Sequence, residues 1–142
     1  MTEEMRTGGC SCGQIRYECD PQFEFSAFCH CRDCQQSSGA GAAPIFAVVK
    51  KNFKIISGAT KSYPYVGDSG KKVHRHFCPN CGAPIFTDAE AAPDLYFVRI
   101  ASIDLTSKVK PSIKPQMHIY CDSAQSWDRP NDPLPKFGKM PS

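Results

Sequence analysis

The sequence predicts a mainly β protein, a single antiparallel domain, and three observations carry that expectation. Ten glycines and twelve prolines recur along the chain and cut it into short pieces, which is the punctuation of turns. Between the cuts, β-branched and aromatic residues alternate with polar ones, the period-two pattern of half-buried strands. A chain of 142 residues suits one domain that buries about two-thirds of its unfolded surface, so it does not need a metal merely to find a core.

Residues 6–19 read as a hairpin that turns at Ser11, Cys12 and Gly13. Alternation puts Ile15, Tyr17 and Cys19 on one face and Arg16 and Glu18 on the other, so Cys19 is expected as a buried core thiol. Residues 23–30 form a second extended run, and 32–38 make a helical turn ended by Gly39. Residues 43–50 and 53–57 are strands, the first with Pro44 at its start, where proline is tolerated. Residues 61–66 are a weaker strand because of Pro64, and 67–70 a turn. Residues 72–77 run into a cysteine cluster, 83–87 leave it, 88–94 are a loop or short helix, and 95–101 are a strong strand. Residues 116–121 are the last strand, with Met117, Ile119 and Cys121 on one face and His118 and Tyr120 on the other, which makes Cys121 a second core thiol. From Asp128 the chain is rich in proline. The expected organisation is one domain over residues 1–127 and a tail, 128–142, packed on its surface.

The composition excludes several classes. No apolar run begins the chain, as a signal peptide requires, and none approaches the length of a membrane span. The formal charge of +3 is mild and the pairs Lys50-Lys51 and Lys71-Lys72 are isolated, so no nucleic-acid stripe is expected. Nine cysteines, an odd number, point to a reducing, cytoplasmic setting in which clustered thiols bind metal more often than they pair.

The cysteines fall into two sets. Cys78-Pro79-Asn80-Cys81-Gly82 is a C-x-x-C-G knuckle in which a tight turn holds two thiolates together and backbone N–H groups stabilise their charge. Its alternative, a redox pair, expects a βαβ setting that is absent. Cys10-Ser11-Cys12-Gly13 repeats the cysteine-then-glycine pattern in a hairpin turn. The four thiolates Cys10, Cys12, Cys78 and Cys81 make a closed structural zinc site that locks long-range topology. Cys29, Cys31 and Cys34, spaced C-x-C-x-x-C within six residues, are one ligand short of a closed site. They read as an open zinc; the alternative is a closed site completed by Cys19, Cys121, His74, His76 or His118. His118 falls on the face opposite Met117 and Ile119, which makes it a candidate to point into the site. The plainer reading is a hydrogen-bonded or exposed histidine.

Zinc on three thiolates carries net negative charge, activates water poorly, and accepts a soft thiol well. A thiol of pKa about 8.5 is about 3% thiolate at pH 7, so full ionisation raises nucleophile concentration about 30-fold at most. Part of that is lost again as lower nucleophilicity. Positioning the electrophile has to supply the rest.

The chain resembles the glutathione-dependent formaldehyde-activating enzyme family, whose domain is shared with centromere protein V. The motifs that carry the resemblance occur in family order and span nearly the whole chain. They are Thr7-Gly8-Gly9-Cys10-Ser11-Cys12-Gly13, the run from Phe28 to Gly39, Arg75-His76-Phe77-Cys78-Pro79-Asn80-Cys81-Gly82, and Lys114-Pro115-Gln116-Met117-His118-Ile119 followed by Trp127. The resemblance implies a β-tent fold and a structural zinc on Cys10, Cys12, Cys78 and Cys81. It implies a second zinc on Cys29, Cys31 and Cys34 that takes glutathione as its fourth ligand, so two zincs per chain. The implied reaction adds the glutathione thiol to formaldehyde to give S-hydroxymethylglutathione, a carbon–sulfur lyase run in reverse. A nearby donor protonates the alkoxide; His118 is a candidate for it.

Three functional expectations follow. The first is a zinc enzyme that joins or splits a small thiol, glutathione by the resemblance, and an aldehyde such as formaldehyde. The second is a non-catalytic carrier of glutathione or a related thiol. The third is a zinc-stapled protein-interaction module, which expects a basic or disordered extension in place of a short proline-rich tail.

Overall fold

The computed structural model describes residues 5–105 and 113–141. Residues 1 and 142, the outer bounds of the expected domain and tail, lie outside the described residues. Ten strands and one helix follow in the order Arg6–Gly9 (β1), Arg16–Cys19 (β2), Phe25–Cys29 (β3), the helix Arg32–Ser38 (α1), Ala43–Val49 (β4), Phe53–Ser57 (β5), Lys61–Val66 (β6), Lys72–Phe77 (β7), Pro84–Ala89 (β8), Leu95–Arg99 (β9) and His118–Ile119 (β10). They form a mainly β fold of two sheets. β1, β2 and β5 make a small antiparallel sheet, and the other seven strands pair in the order β10-β3-β4-β9-β8-β7-β6.

Period two sorts the seven-stranded sheet into two faces. His76, Phe86, Val98 and Phe46 lie in register across β7, β8, β9 and β4. With Tyr17, Cys19 and Phe53 of the small sheet, Phe46, Phe86 and Val98 form the main core. Tyr17 is fully buried and its hydroxyl hydrogen-bonds Ser102 at 2.6 Å. Phe53 meets the Tyr17 ring at 4.8 Å and the Phe86 ring at 5.2 Å. Each such ring withdrawn from water stabilises the fold by about 1.5–3 kcal/mol. Cys19 sits in this core, as strand alternation requires.

The opposite face carries a second, smaller core around Ala27, Cys29, Cys34, Ile45 and Ile119, against which α1 is laid. Cys31 caps α1 at its start, and Gly39, in the left-handed region at φ 70, ends it with an N–H donated to the Gln35 carbonyl. Only a residue without Cβ closes a helix this way at no steric cost.

Four segments differ from the sequence reading. β9 ends at Arg99, so residues 100 and 101 belong to a 3₁₀ turn, Ile100–Ser102, and not to the strand. β8 continues to Ala89, so residues 88 and 89 belong to a strand and not to a loop or helix. Residues 50–52 leave β4 as a single 3₁₀ turn. Residues 116–121 are not one strand: only His118 and Ile119 pair, and they pair parallel to β3. Tyr120 then takes a left-handed conformation at φ 57 and Cys121–Ser123 is a 3₁₀ turn. Alternation fails because the backbone is not extended there. His118 and Ile119 are both buried, and Cys121 is half-buried, not a core thiol.

The segment after Asp128 comes to lie beside β10 and pairs with it in parallel, Lys136 opposite His118. His118 donates its N–H to the Pro135 carbonyl at 2.8 Å and its own carbonyl accepts from Phe137 at 2.9 Å. β10 is therefore held on both edges, by β3 and by the tail. No helix among the described residues is long and apolar enough to cross a membrane.

Candidate metal centres

The first cluster is assembled from two knuckles of the same design. In the β1–β2 turn, Ile15 donates its N–H to the Cys10 sulfur at 3.2 Å. In the β7–β8 turn, Asn80 and Cys81 both donate to the Cys78 sulfur at 3.4 Å. Gly13 and Gly82 follow the second cysteine of each knuckle at φ 81 and φ 77. No atom crowds either Cβ position, so glycine is required for the turn itself and not for space. The turns bring the sulfurs of Cys10, Cys12, Cys78 and Cys81 within 4.8 Å of one another. Cys12 lies 3.5 Å from Cys10 and 3.8 Å from Cys78. Four thiolates at about 2.3 Å from a tetrahedral zinc stand about 3.8 Å apart, so the donor set fits that ion. N–H groups of Ala83 and Cys12 hold the Cys81 thiol down at about 6.

The second cluster lies on the other face. Cys29 ends β3, Cys31 caps α1 and Cys34 lies in its first turn, and their sulfurs also lie within 4.8 Å of one another. The Cys31 sulfur accepts the Cys34 N–H at 3.3 Å. Hydrogen bonds from the Cys29 and Cys34 thiols, then the N–H groups of Cys34 and Asp33, lower Cys31 to about 3. Bonding to Cys31 and burial push Cys29 up. Three soft donors around a common point fit zinc with one position left over.

The two clusters differ in their surroundings. Cys29, Cys31 and Cys34 line a cavity of about 740 Å³, and none of the first four cysteines does. The rest of the wall is the second face of the large sheet. Tyr63, Arg75, Thr87 and Phe97 form one rung across β6, β7, β8 and β9, and Tyr65, Val73 and Ala89 form the next. Arg75 forms an ion pair with Asp33 of α1, which ties helix to sheet across the cavity. The second Asp33 oxygen is buried with no partner among the described residues. Arg99, only 6% exposed, lines the same wall and donates to the Ser37 hydroxyl at 2.5 Å. Burial, and next the Asp33 carboxylate, push the Tyr65 phenol well above its ordinary range. Burial raises Tyr120 in the same direction.

The remaining residues considered as ligands lie elsewhere. Cys19 is in the main core and Cys121 in the 3₁₀ turn after β10. His76 stacks on Phe86 at 4.3 Å and bonds Thr60. His118 is not on the cavity wall. Its Nδ1 meets His30 Nε2 at 2.9 Å and its Nε2 meets Asp132 at 2.8 Å. Both ring nitrogens are engaged, in a chain that runs from the tail to the loop between Cys29 and Cys31.

Sequence reasoning missed the wall. Arg99 was visible as a lone charge ending an apolar strand, and Tyr63 and Tyr65 as an i, i+2 pair, but their common face depends on strand order. It also missed Gln35, whose buried amide donates to the His30 carbonyl at 2.7 Å and the Ser123 carbonyl at 2.9 Å, fixing the ligand loop to the segment after β10.

The fold is shared with a solved protein of Rhodobacter sphaeroides at TM-score 0.57 and 22% identity, over 74% of this chain and 91% of that one. Residues 5–123 match the family described as glutathione-dependent formaldehyde-activating enzyme. That span takes in both cysteine clusters and every strand, and the chain belongs to that family.

Proposed function

We propose that this protein is a zinc enzyme that joins a small thiol to an aldehyde or splits their adduct, with glutathione and formaldehyde as the pair that the family description names. The observation that carries this reading is the contrast between the clusters: four thiols away from the cavity, three thiols at its wall. On this reading Cys10, Cys12, Cys78 and Cys81 hold a structural zinc, and Cys29, Cys31 and Cys34 hold a second. Bound there, the second zinc would keep an incoming thiol in its thiolate form.

The protein's own groups do the rest. The Arg99 guanidinium, and the Arg75–Asp33 pair with its free carboxylate oxygen, offer both signs of charge to a thiol that carries carboxylates and an amine. Tyr65 and Tyr120 line the cavity and His118 does not, so their hydroxyls are better placed than His118 to give a proton to the oxygen of the adduct. Cys29 and Cys34 are buried, and the lower polarity around them strengthens these interactions.

The test is zinc stoichiometry with X-ray absorption at the zinc edge, with and without glutathione, followed by NMR exchange of glutathione with formaldehyde. Two zincs per chain, a mean sulfur coordination that rises on adding glutathione, and faster exchange than in buffer support an enzyme. A rise in coordination without faster exchange would make the protein a carrier. Full coordination unaffected by glutathione would overturn the open site.

A further inference from the structure

A one-carbon aldehyde leaves most of the cavity unused. The charged groups of α1 and the facing strands cluster next to the trio, and Asp68 and Ser69 of the β6–β7 turn add polar groups to the rim beyond them. Asp33 lies one residue from Cys34, Arg75 is bound to Asp33, and Arg99 bonds to Ser37 of the same helix. One rung further along the sheet the wall changes character to Tyr65, Val73 and Ala89, with Val66 and Met140 at the mouth. Val66 is 67% exposed and Met140 39%. Two residues along a strand advance about 7 Å, which is the reach of a phenyl group with its linking carbon or of a short alkyl chain. Cavities of 300–1,000 Å³ with apolar walls and a few convergent polar groups hold drug-sized ligands; a cavity of about 740 Å³ holds a tripeptide-sized thiol and a second body beside it.

We infer that the carbonyl partner is an aldehyde bearing an apolar body, aliphatic or aromatic, seated on the rung of Tyr65, Val73 and Ala89 while the charged thiol occupies the polar end. This rests on the proposed thiol–aldehyde chemistry and names its substrate class. The step balances without a co-reactant. The thiol sulfur forms a bond to the carbonyl carbon, the C=O π pair moves to oxygen, and the oxygen takes up the proton that the thiol gave up. Nothing is oxidised or reduced. The apolar rung acts on the aldehyde and not on the thiol, because the charged side chains hold the region nearest the sulfurs.

The experiment measures, by NMR exchange on the zinc-loaded protein, the acceleration over the uncatalysed rate for glutathione with formaldehyde, butanal and phenylacetaldehyde. The expected result is an acceleration at least about tenfold greater for butanal and phenylacetaldehyde than for formaldehyde, the discrimination that a hydrophobic pocket gives for added carbons. Ala89→Trp, which fills the rung, is expected to cut that ratio about tenfold. Equal or greater acceleration of formaldehyde overturns the inference and leaves the thiol–aldehyde chemistry standing. Acceleration of no aldehyde overturns both. A further arm replaces glutathione by benzyl mercaptan: undiminished acceleration with that thiol would place the apolar body on the thiol and overturn the assignment. The wild-type series decides the matter even if Ala89→Trp fails to fold.

Discussion

Cys78→Ser is the substitution that most directly probes the four-thiol cluster. Cys78 is fully buried, its sulfur accepts two backbone N–H groups, and it approaches Cys12 across 66 residues of chain. Serine fits the space and keeps the hydrogen bonds, but its hydroxyl is no substitute for a thiolate ligand. The loss is therefore of a cross-link and not of packing. Closing a 66-residue loop removes about 4 kcal/mol of entropy from the unfolded chain by the relation used for disulfides. The intrinsic metal–ligand energy comes on top of this. At about 2–4 °C per kcal/mol for a domain of this size, the melting temperature should fall by about 10 °C or more, or the protein should fail to fold. Circular dichroism melts paired with zinc analysis read this directly. Cys19→Ala is the control. That thiol is equally buried but lies in the main core, so the variant should lose about 1–2 kcal/mol of packing while zinc content is unchanged. A Cys78→Ser protein with two zincs and an unaltered melt would refute the reasoning, and so would zinc loss on Cys19→Ala.

Cys31→Ser should remove one zinc per chain and leave most of the melting temperature intact, because Cys29, Cys31 and Cys34 are joined locally through β3 and α1; collapse of the whole domain would mean that both clusters are structural. Tyr65→Phe and Tyr120→Phe each delete one phenol from the cavity wall. The variant that removes the proton donor should slow glutathione–formaldehyde exchange by about 10²-fold with glutathione binding retained, and two unaffected variants would exclude both residues. Asp104 is held below the usual carboxylate range, first by hydrogen bonding to Arg16 and also by the Thr7 hydroxyl. A depressed pKa stabilises the fold above the unfolded value of about 3.9 and loses that contribution as pH falls through the folded value. Both side chains of the pair are about one-third exposed, so screening limits the effect. Asp104→Asn should cost about 1 kcal/mol at pH 7 and less at pH 2, as urea midpoints at the two pH values will show.

The strands were legible wherever the chain is extended and one face is buried. β2, with Tyr17 and Cys19 inward, follows directly from period two; β9 was marked by its apolar run, which carried the reading two residues past the strand's end at Arg99. The thiol clusters were legible because each knuckle is local and carries its own glycine. What could not be read was anything that depends on which strands become neighbours. The rung of Tyr63, Arg75, Thr87 and Phe97 draws one residue from each of four strands, and no spacing within one strand announces it. The 116–121 segment misled for a different reason. Alternation assumes extended backbone, and Tyr120 at φ 57 turns the chain before Cys121 can reach the core. His118, given to the polar face, is buried because the tail covers it, and the tail's pairing with β10 has no signature in the sequence before it.

The separation of the two knuckles has a consequence for how the protein is made. Ribosomes extend a chain at about 5–20 residues per second. Cys10 and Cys12 therefore leave the tunnel some seconds before Cys78 and Cys81, 66 residues behind in the case of Cys12 and Cys78. Cys29, Cys31 and Cys34 complete their own cluster within that interval. During biosynthesis the nascent chain thus presents an unfinished pair and a finished trio at once. On the two-zinc reading, vectorial synthesis offers metal the trio before the four-thiol site exists, an order that refolding the full-length chain from denaturant need not reproduce.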